Sequence, residues 1–289
     1  MPSSGFFISR RLRLHYAEWG DPDAPPILLL HGGRDHCRSW DWVAERLCDR
    51  YRVIAPDLRG HGDSAWSPDG DYGTLAYVYD LAQLIGSQGL APLPIIAHSL
   101  GGYVALRYAS TYPERVKALV AIEGLGLAPD RMREREAKPI AERTRAWIEG
   151  QLQLARRGPR RYASFDEALA RMQGENKRLS AAQARHLTRH GLMQNEDGTL
   201  SWKFDNYVRA IASPQETTLA ELGALWSRVT CPTLLVYGRA SWASNPAKDG
   251  RAAHFPNARV VMVEGAGHWV HHDRLEVFMA EVEAFLRGG

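Results

Sequence analysis

Three cysteines in 289 residues, Cys37, Cys48 and Cys231, are too few and too scattered for a disulfide frame, and no CxxC spacing marks a zinc site. They read as packing residues. No apolar run approaches membrane-spanning length, and the opening MPSSGFFISRRLRLHYAEWG lacks the basic, apolar and small-residue order of a secretory signal. A cytoplasmic location is therefore expected, with no membrane partner. Basic and acidic residues nearly balance, 36 Lys+Arg against 33 Asp+Glu, and no Lys/Arg cluster is interleaved with aromatics as a nucleic-acid surface requires. Nucleic acid is not an expected partner either. Internal repeats and low-complexity tracts are also missing. What remains is an ordinary globular composition, 45% hydrophobic and 24% charged, on a chain long enough for one large α/β domain with an insertion.

The first part of the chain alternates strand and helix patterns. Residues 11–19 (RLRLHYAEW) alternate like a strand, and 27–30 form an apolar run of the length of a buried parallel strand, ending in His31-Gly32-Gly33. Residues 39–50 read as an amphipathic helix capped by Ser39, with Trp40, Val43 and Leu47 on one face. A short strand at 52–55 runs into PDLRGHGDS, and 74–88 read as a helix burying Leu75, Val78, Leu81, Ala82 and Ile85. Further buried strands are expected at 117–122, 233–237 and 259–263, with a closing helix over 273–287. This alternation predicts a mostly parallel, doubly wound sheet covered by helices on both faces. Between 127 and 228 the pattern changes to charged helix-forming stretches, so the expected division is a core of residues 1–126 and 229–289 with an inserted helical cap at 127–228. The cap segment holds 18 Lys/Arg and 13 Asp/Glu, a net of +5 against −2 for the remainder. Most of that charge is expected on solvated helix faces.

The stretch LPIIAHSLGGYVALRYAS carries the chemistry. An apolar strand runs into Ser99, with Ala97 two residues before it and Gly101 two residues after, and a helical pattern follows at once. That is a nucleophile elbow, in which a sharp turn exposes the serine and the flanking small residues let strand and helix pass closely. A serine-capped helix after a buried strand would produce the same local pattern. With LLLHGG, APDLRGHGDS, AHSLGG, CPTLLVYG and EGAGHWVHHD in this order, however, the chain resembles the α/β-hydrolase superfamily. Within it, YASFDEALARMQGENKRLS, LTRHG and WKFDN are most similar to the serine hydrolase-like proteins.

A serine hydroxyl needs a base, a carboxylate orienting that base, and N–H donors for the developing oxyanion. Ser99 is the expected nucleophile and His268, presented by the turn Gly265-Ala266-Gly267 after the last strand, the expected base; His271 and His272 read as surface residues. The resemblance implies the backbone N–H groups of Gly33 and Leu100 as oxyanion donors. It also places the usual acid three residues beyond Gly238, where this chain has Ser241 and no acid before Asp249. Glu123, ending the preceding strand of the sheet, is the expected acid, as in haloalkane dehalogenases and serine hydrolase-like proteins, with Asp249 as the alternative. The expected activity is hydrolysis of small to medium carboxylic esters through an acyl-enzyme, with no cofactor and no metal. C–C bond hydrolysis, lactone opening or perhydrolysis on the same residues is the enzymatic alternative, and a receptor-like ligand binder with little turnover the non-enzymatic one. A homodimer is left open. The tryptophans Trp40, Trp66, Trp147, Trp202, Trp242 and Trp269 are candidates both for a pocket lining and for core packing.

Overall fold

The computed structural model describes residues 1–209, 213 and 217–288. Residues 210–212 and 214–216 of the expected cap, and residue 289 of the expected second core part, lie outside the described residues. In chain order the elements are β1 (Ser3–Ser9), β2 (Leu12–Trp19), β3 (Pro26–Leu30), α1 (Asp41–Leu47), β4 (Arg52–Pro56), α2 (Thr74–Ser87), β5 (Leu93–His98), α3 (Leu100–Thr111) and β6 (Val116–Ile122). There follow α4 (Pro129–Glu136), α5 (Ile140–Ala155), α6 (Phe165–Glu175), α7 (Ala181–Gly191), β7 (Leu192–Gln194), β8 (Leu200–Trp202) and α8 (Leu219–Trp226). The chain closes with β9 (Thr233–Gly238), β10 (Ala258–Val263), α9 (Val270–Asp273) and α10 (Leu275–Gly288).

Eight strands form one sheet in the order β1-β2-β4-β3-β5-β6-β9-β10. Only β1–β2 and β2–β4 are antiparallel; from β4 to β10 every pairing is parallel. Parallel strands buried on both faces carry apolar residues at every position, and β3 shows why. Leu28 and Leu30 point into the layer shared with α2 and α3, while Ile27 and Leu29 point into the opposite layer with α1 and α10. Strand β5 divides likewise, Ile95 and Ala97 to one side and Ile96 to the other. The chain reverses winding direction around the centre of the sheet, so the carboxyl ends of β3, β5, β6 and β9 open onto one crevice.

Three local expectations are corrected. Helix α1 starts at Asp41 after a 3₁₀ turn at Cys37–Trp40, and Ser39 does not cap it. Its hydroxyl instead donates to Asp35 and accepts from the His272 ring, a tertiary pull that outweighs the local cap. In α2 the buried stripe is Tyr77, Leu81, Leu84 and Ile85, which leaves Leu75 on the other side of the helix and 67% exposed. Between β6 and β9 the described residues add no strand to the main sheet, but the segment is not purely helical, since β7 and β8 pair as a short antiparallel hairpin. This segment meets the rest through a Tyr72 hydroxyl donating to Asp205 (2.6 Å), a Lys203–Asp63 ion pair (2.7 Å) and a bridge between His61 and Phe204.

Candidate active site

Strand β5 ends at His98 and α3 begins at Leu100, so Ser99 alone makes the turn, at φ 49° and ψ −113°. Such a backbone is rare for a residue with a Cβ and persists only where its surroundings impose it. The Ser99 N–H donates to the Ile122 carbonyl of β6 (2.8 Å), and a Cβ on Gly101 would lie 2.5 Å from the His31 oxygen, so this position demands glycine. Ala97 is fully buried between β3 and β6, where the sheet accepts its methyl group.

The Ser99 Oγ lies 3.0 Å from His268 Nε2, and His268 Nδ1 lies 2.5 Å from Glu123 Oε2. With the serine hydroxyl donating to Nε2, Nδ1–H donates to the carboxylate. Glu123 follows β6 directly, in a left-handed backbone at φ 48°, and its side chain is inaccessible to solvent. Its Oε1 accepts the Gly238 N–H (2.9 Å) and its Oε2 accepts the Ser241 hydroxyl (2.7 Å) as well as the imidazole. Ser241, at the position where the resemblance puts the acid, thus supports the glutamate. The substitution at 241 is visible in the sequence, but the partnership is not, because only the adjacency of β6 and β9 creates it. Asp249 is turned elsewhere: it accepts the Ser244 hydroxyl (2.6 Å) and pairs with Arg251 (2.7 Å), which together hold its pKa down against burial.

Gly33 and Leu100 face each other, since a Cβ on Gly33 would lie 3.9 Å from the Leu100 side chain. Among the described residues, neither N–H has a protein acceptor. Around them the flanking imidazoles are committed to structure. His98 Nε2–H donates to the His268 carbonyl (3.0 Å), and burial drives its pKa well below the ordinary imidazole value. His31 Nδ1–H donates to the Gly32 carbonyl and its Nε2 accepts the Leu58 N–H, with burial lowering its pKa to about 3. His271 and His272, expected at the surface, are buried at 2% and 6% exposure. Trp40 stacks on His271 at 4.6 Å between centroids and is itself core, so α9 is pinned inward by aromatic packing that local sequence does not report.

A cavity of about 840 Å³ lies above Ser99, lined by Leu100 and Leu125 from below and by Met132, Trp147, Leu222 and Trp242 around its walls. Trp202 and Trp269 line a separate, smaller cavity, and Trp66 lines neither. Among the described residues, two clusters place three metal-type donors close together, His15/Cys37/Asp57 and Asp41/His186/His190. In each the carboxylate is already engaged, Asp57 by His15 and two backbone N–H groups and Asp41 by two nitrogens of Arg38.

Residues 25–275 match the family model described as alpha/beta hydrolase fold. The chain belongs to this family. Within it, the chain is similar to the esterase Rv0045c of Mycobacterium tuberculosis, 29% identical over 93% of this chain and 84% of that protein. It is also similar to the serine hydrolase-like protein of Danio rerio, 29% identical over 62% of this chain and 55% of the relative. Among solved structures, the thioesterase domain from the curacin biosynthetic pathway superposes with a TM-score of 0.85 at 22% identity, over 98% of this chain and 99% of the other. The expected superfamily, fold class and likeness to serine hydrolase-like proteins are borne out, and the family supports a hydrolase. Among the described residues, no helix is long and apolar enough to cross a membrane.

Proposed function

We propose that this hydrolase is a serine esterase acting through Ser99, His268 and Glu123, with residues 127–228 as a cap over the site. The observation that carries the reading is His268 held between Ser99 Oγ at 3.0 Å and Glu123 Oε2 at 2.5 Å, under a serine in a strained turn. His268 takes the hydroxyl proton as Ser99 attacks the acyl carbon of the ester. The Gly33 and Leu100 N–H groups receive the oxyanion, while buried Glu123 stabilises the imidazolium and keeps its ring turned. His268 then gives the proton to the leaving alcohol, and water attacks the acyl-enzyme by the same route. Nothing in this sequence of steps needs a metal or cofactor. The 840 Å³ cavity, with its tryptophans and leucines, suits an acyl chain of small to medium size. An esterase among the relatives supports the ester class. Hydrolysis of a panel of p-nitrophenyl esters tests the proposal: turnover with an acyl adduct on Ser99 by mass spectrometry is expected. Ligand binding without turnover of any ester, lactone or diketone would instead favour the receptor-like reading.

A further inference from the structure

A second cavity, of about 210 Å³, starts at Gly33 and Trp269, the neighbours of the oxyanion loop and of His268. Its walls carry four arginines, Arg34, Arg160, Arg171 and Arg209, against one carboxylate, Glu175. Arg171 is already paired with that carboxylate. Among the described residues, the other three have no acidic partner in contact: Arg160 and Arg209 lie over the rings of Tyr162 and Phe204, at 5.5 and 4.9 Å, and Arg34 makes no bond. Arg34 sits directly after Gly33 with φ 61°, a left-handed backbone that a side-chain-bearing residue adopts only under constraint. Desolvation and the Arg34 charge both lower the Arg209 pKa. Convergent like charges raise the free energy of the empty pocket, and an anion between them removes that cost while gaining charge-assisted, fork-shaped hydrogen bonds.

We infer that this pocket is a subsite for an anionic oxyacid group, a carboxylate or a phosphate, carried by the substrate. The proposal rests on the esterase reading and adds its substrate class: bipartite esters with an apolar part in the large cavity and an anionic end held by Arg34 and Arg209. His268 must reach the leaving oxygen, and Trp269 beside it lines the basic pocket, so the anion belongs on the alcohol side.

The test compares kcat/KM for 4-acetoxybenzoate, for 4-acetoxyphenyl phosphate and for the neutral methyl 4-acetoxybenzoate. Taking the anionic-to-neutral ratio for each protein cancels the intrinsic reactivity of the esters. Arg209→Met and Arg34→Met should each lower the ratio about tenfold or more, the loss of one charge-assisted contact. The Arg133→Met variant changes the net charge equally at an exposed cap position paired with Asp130, so it should leave the ratio at the wild-type value. Whichever anionic ester shows the larger loss identifies the oxyacid. Ratios that are unchanged in both pocket variants, or that fall equally in Arg133→Met, would overturn the subsite. Calorimetric binding of 4-hydroxybenzoate and of inorganic phosphate separates the two claims. Binding abolished by Arg209→Met without turnover of any ester would keep the subsite and defeat the esterase; turnover without an arginine-dependent ratio or binding would do the reverse.

Discussion

Two serine–histidine–carboxylate relays stand among the described residues, and their connectivity is the same. Ser99 contacts His268 and His268 contacts Glu123, at 3.0 and 2.5 Å. On the edge of the sheet, Ser4 contacts His15 and His15 contacts Asp57, both at 2.7 Å. Contact distance does not separate them, and neither does the carboxylate's saturation, because Glu123 and Asp57 each accept two further donors besides the imidazole. What differs is the serine's setting. Ser99 occupies a left-handed turn at the start of a helix, beside the N–H groups of Gly33 and Leu100 and under a cavity of about 840 Å³. Ser4 lies within the outermost strand, paired in register with Ala17, and its relay borders a cavity of about 140 Å³. A relay supplies a base; stabilising an oxyanion and seating an acyl group require the turn, the helix start and the room. The Asp57 relay instead ties β2 to the loops at Cys37 and Asp63, and the hydrogen bonds from His15 and Cys37 hold its carboxyl well below the ordinary range despite burial.

This contrast predicts a double dissociation. Ser99→Ala should lower turnover by about 10⁵-fold with little change in melting temperature, as for a triad nucleophile, whereas Ser4→Ala should alter turnover less than about twofold. Glu123→Gln should cost about 10³- to 10⁴-fold in kcat, the scale of removing an orienting carboxylate, and Asp249→Asn, remote from His268, should leave kcat near wild type. Steady-state kinetics on one p-nitrophenyl ester checks all four. At the second relay the outcome moves to stability: Asp57→Asn sets an amide NH₂ against donors and should cost about 1–3 kcal/mol, read from denaturant midpoints, with kcat retained. The folded pKa of Asp57 is depressed below its reference of 3.8, so its ionised contribution is full above that pH and fades as pH falls. A smaller loss than at Glu123 is expected at Ser241→Ala, about three- to tenfold in kcat from one lost hydrogen bond. In a Glu123→Gln background the same change should add little, because its action runs through the glutamate.

How much of this was legible in the sequence follows from how local each feature is. The elbow around Ser99 and the turn presenting His268 are short-range patterns, readable because a sharp strand-to-helix turn tolerates only small neighbours at 97 and 101. The parallel sheet was readable from unbroken apolar runs such as 27–30. Glu123 could be named only by combining a missing aspartate with strand adjacency, and Ser241 as its partner needed β6 and β9 side by side. Burial of His271 and His272 depends on Trp40, which is more than two hundred residues away in the chain. Arg34, Arg160 and Arg209 likewise gave no local signal, because three separate loops and helices bring them to one pocket. The expectation that most cap charge is solvated holds for pairs such as Arg133 and Asp130, and Arg160, Arg171 and Arg209 are the minority that line a pocket; which arginines those are was not readable locally.

Whether Ser99 alone is the nucleophile is decided by site-mapped labelling of the folded protein with a fluorophosphonate, with both serines present and both relays intact. One phosphonyl group per chain is expected, on the peptide containing Ser99, and none on Ser4. Labelling at Ser4, or a folded protein that takes up no label, would contradict it.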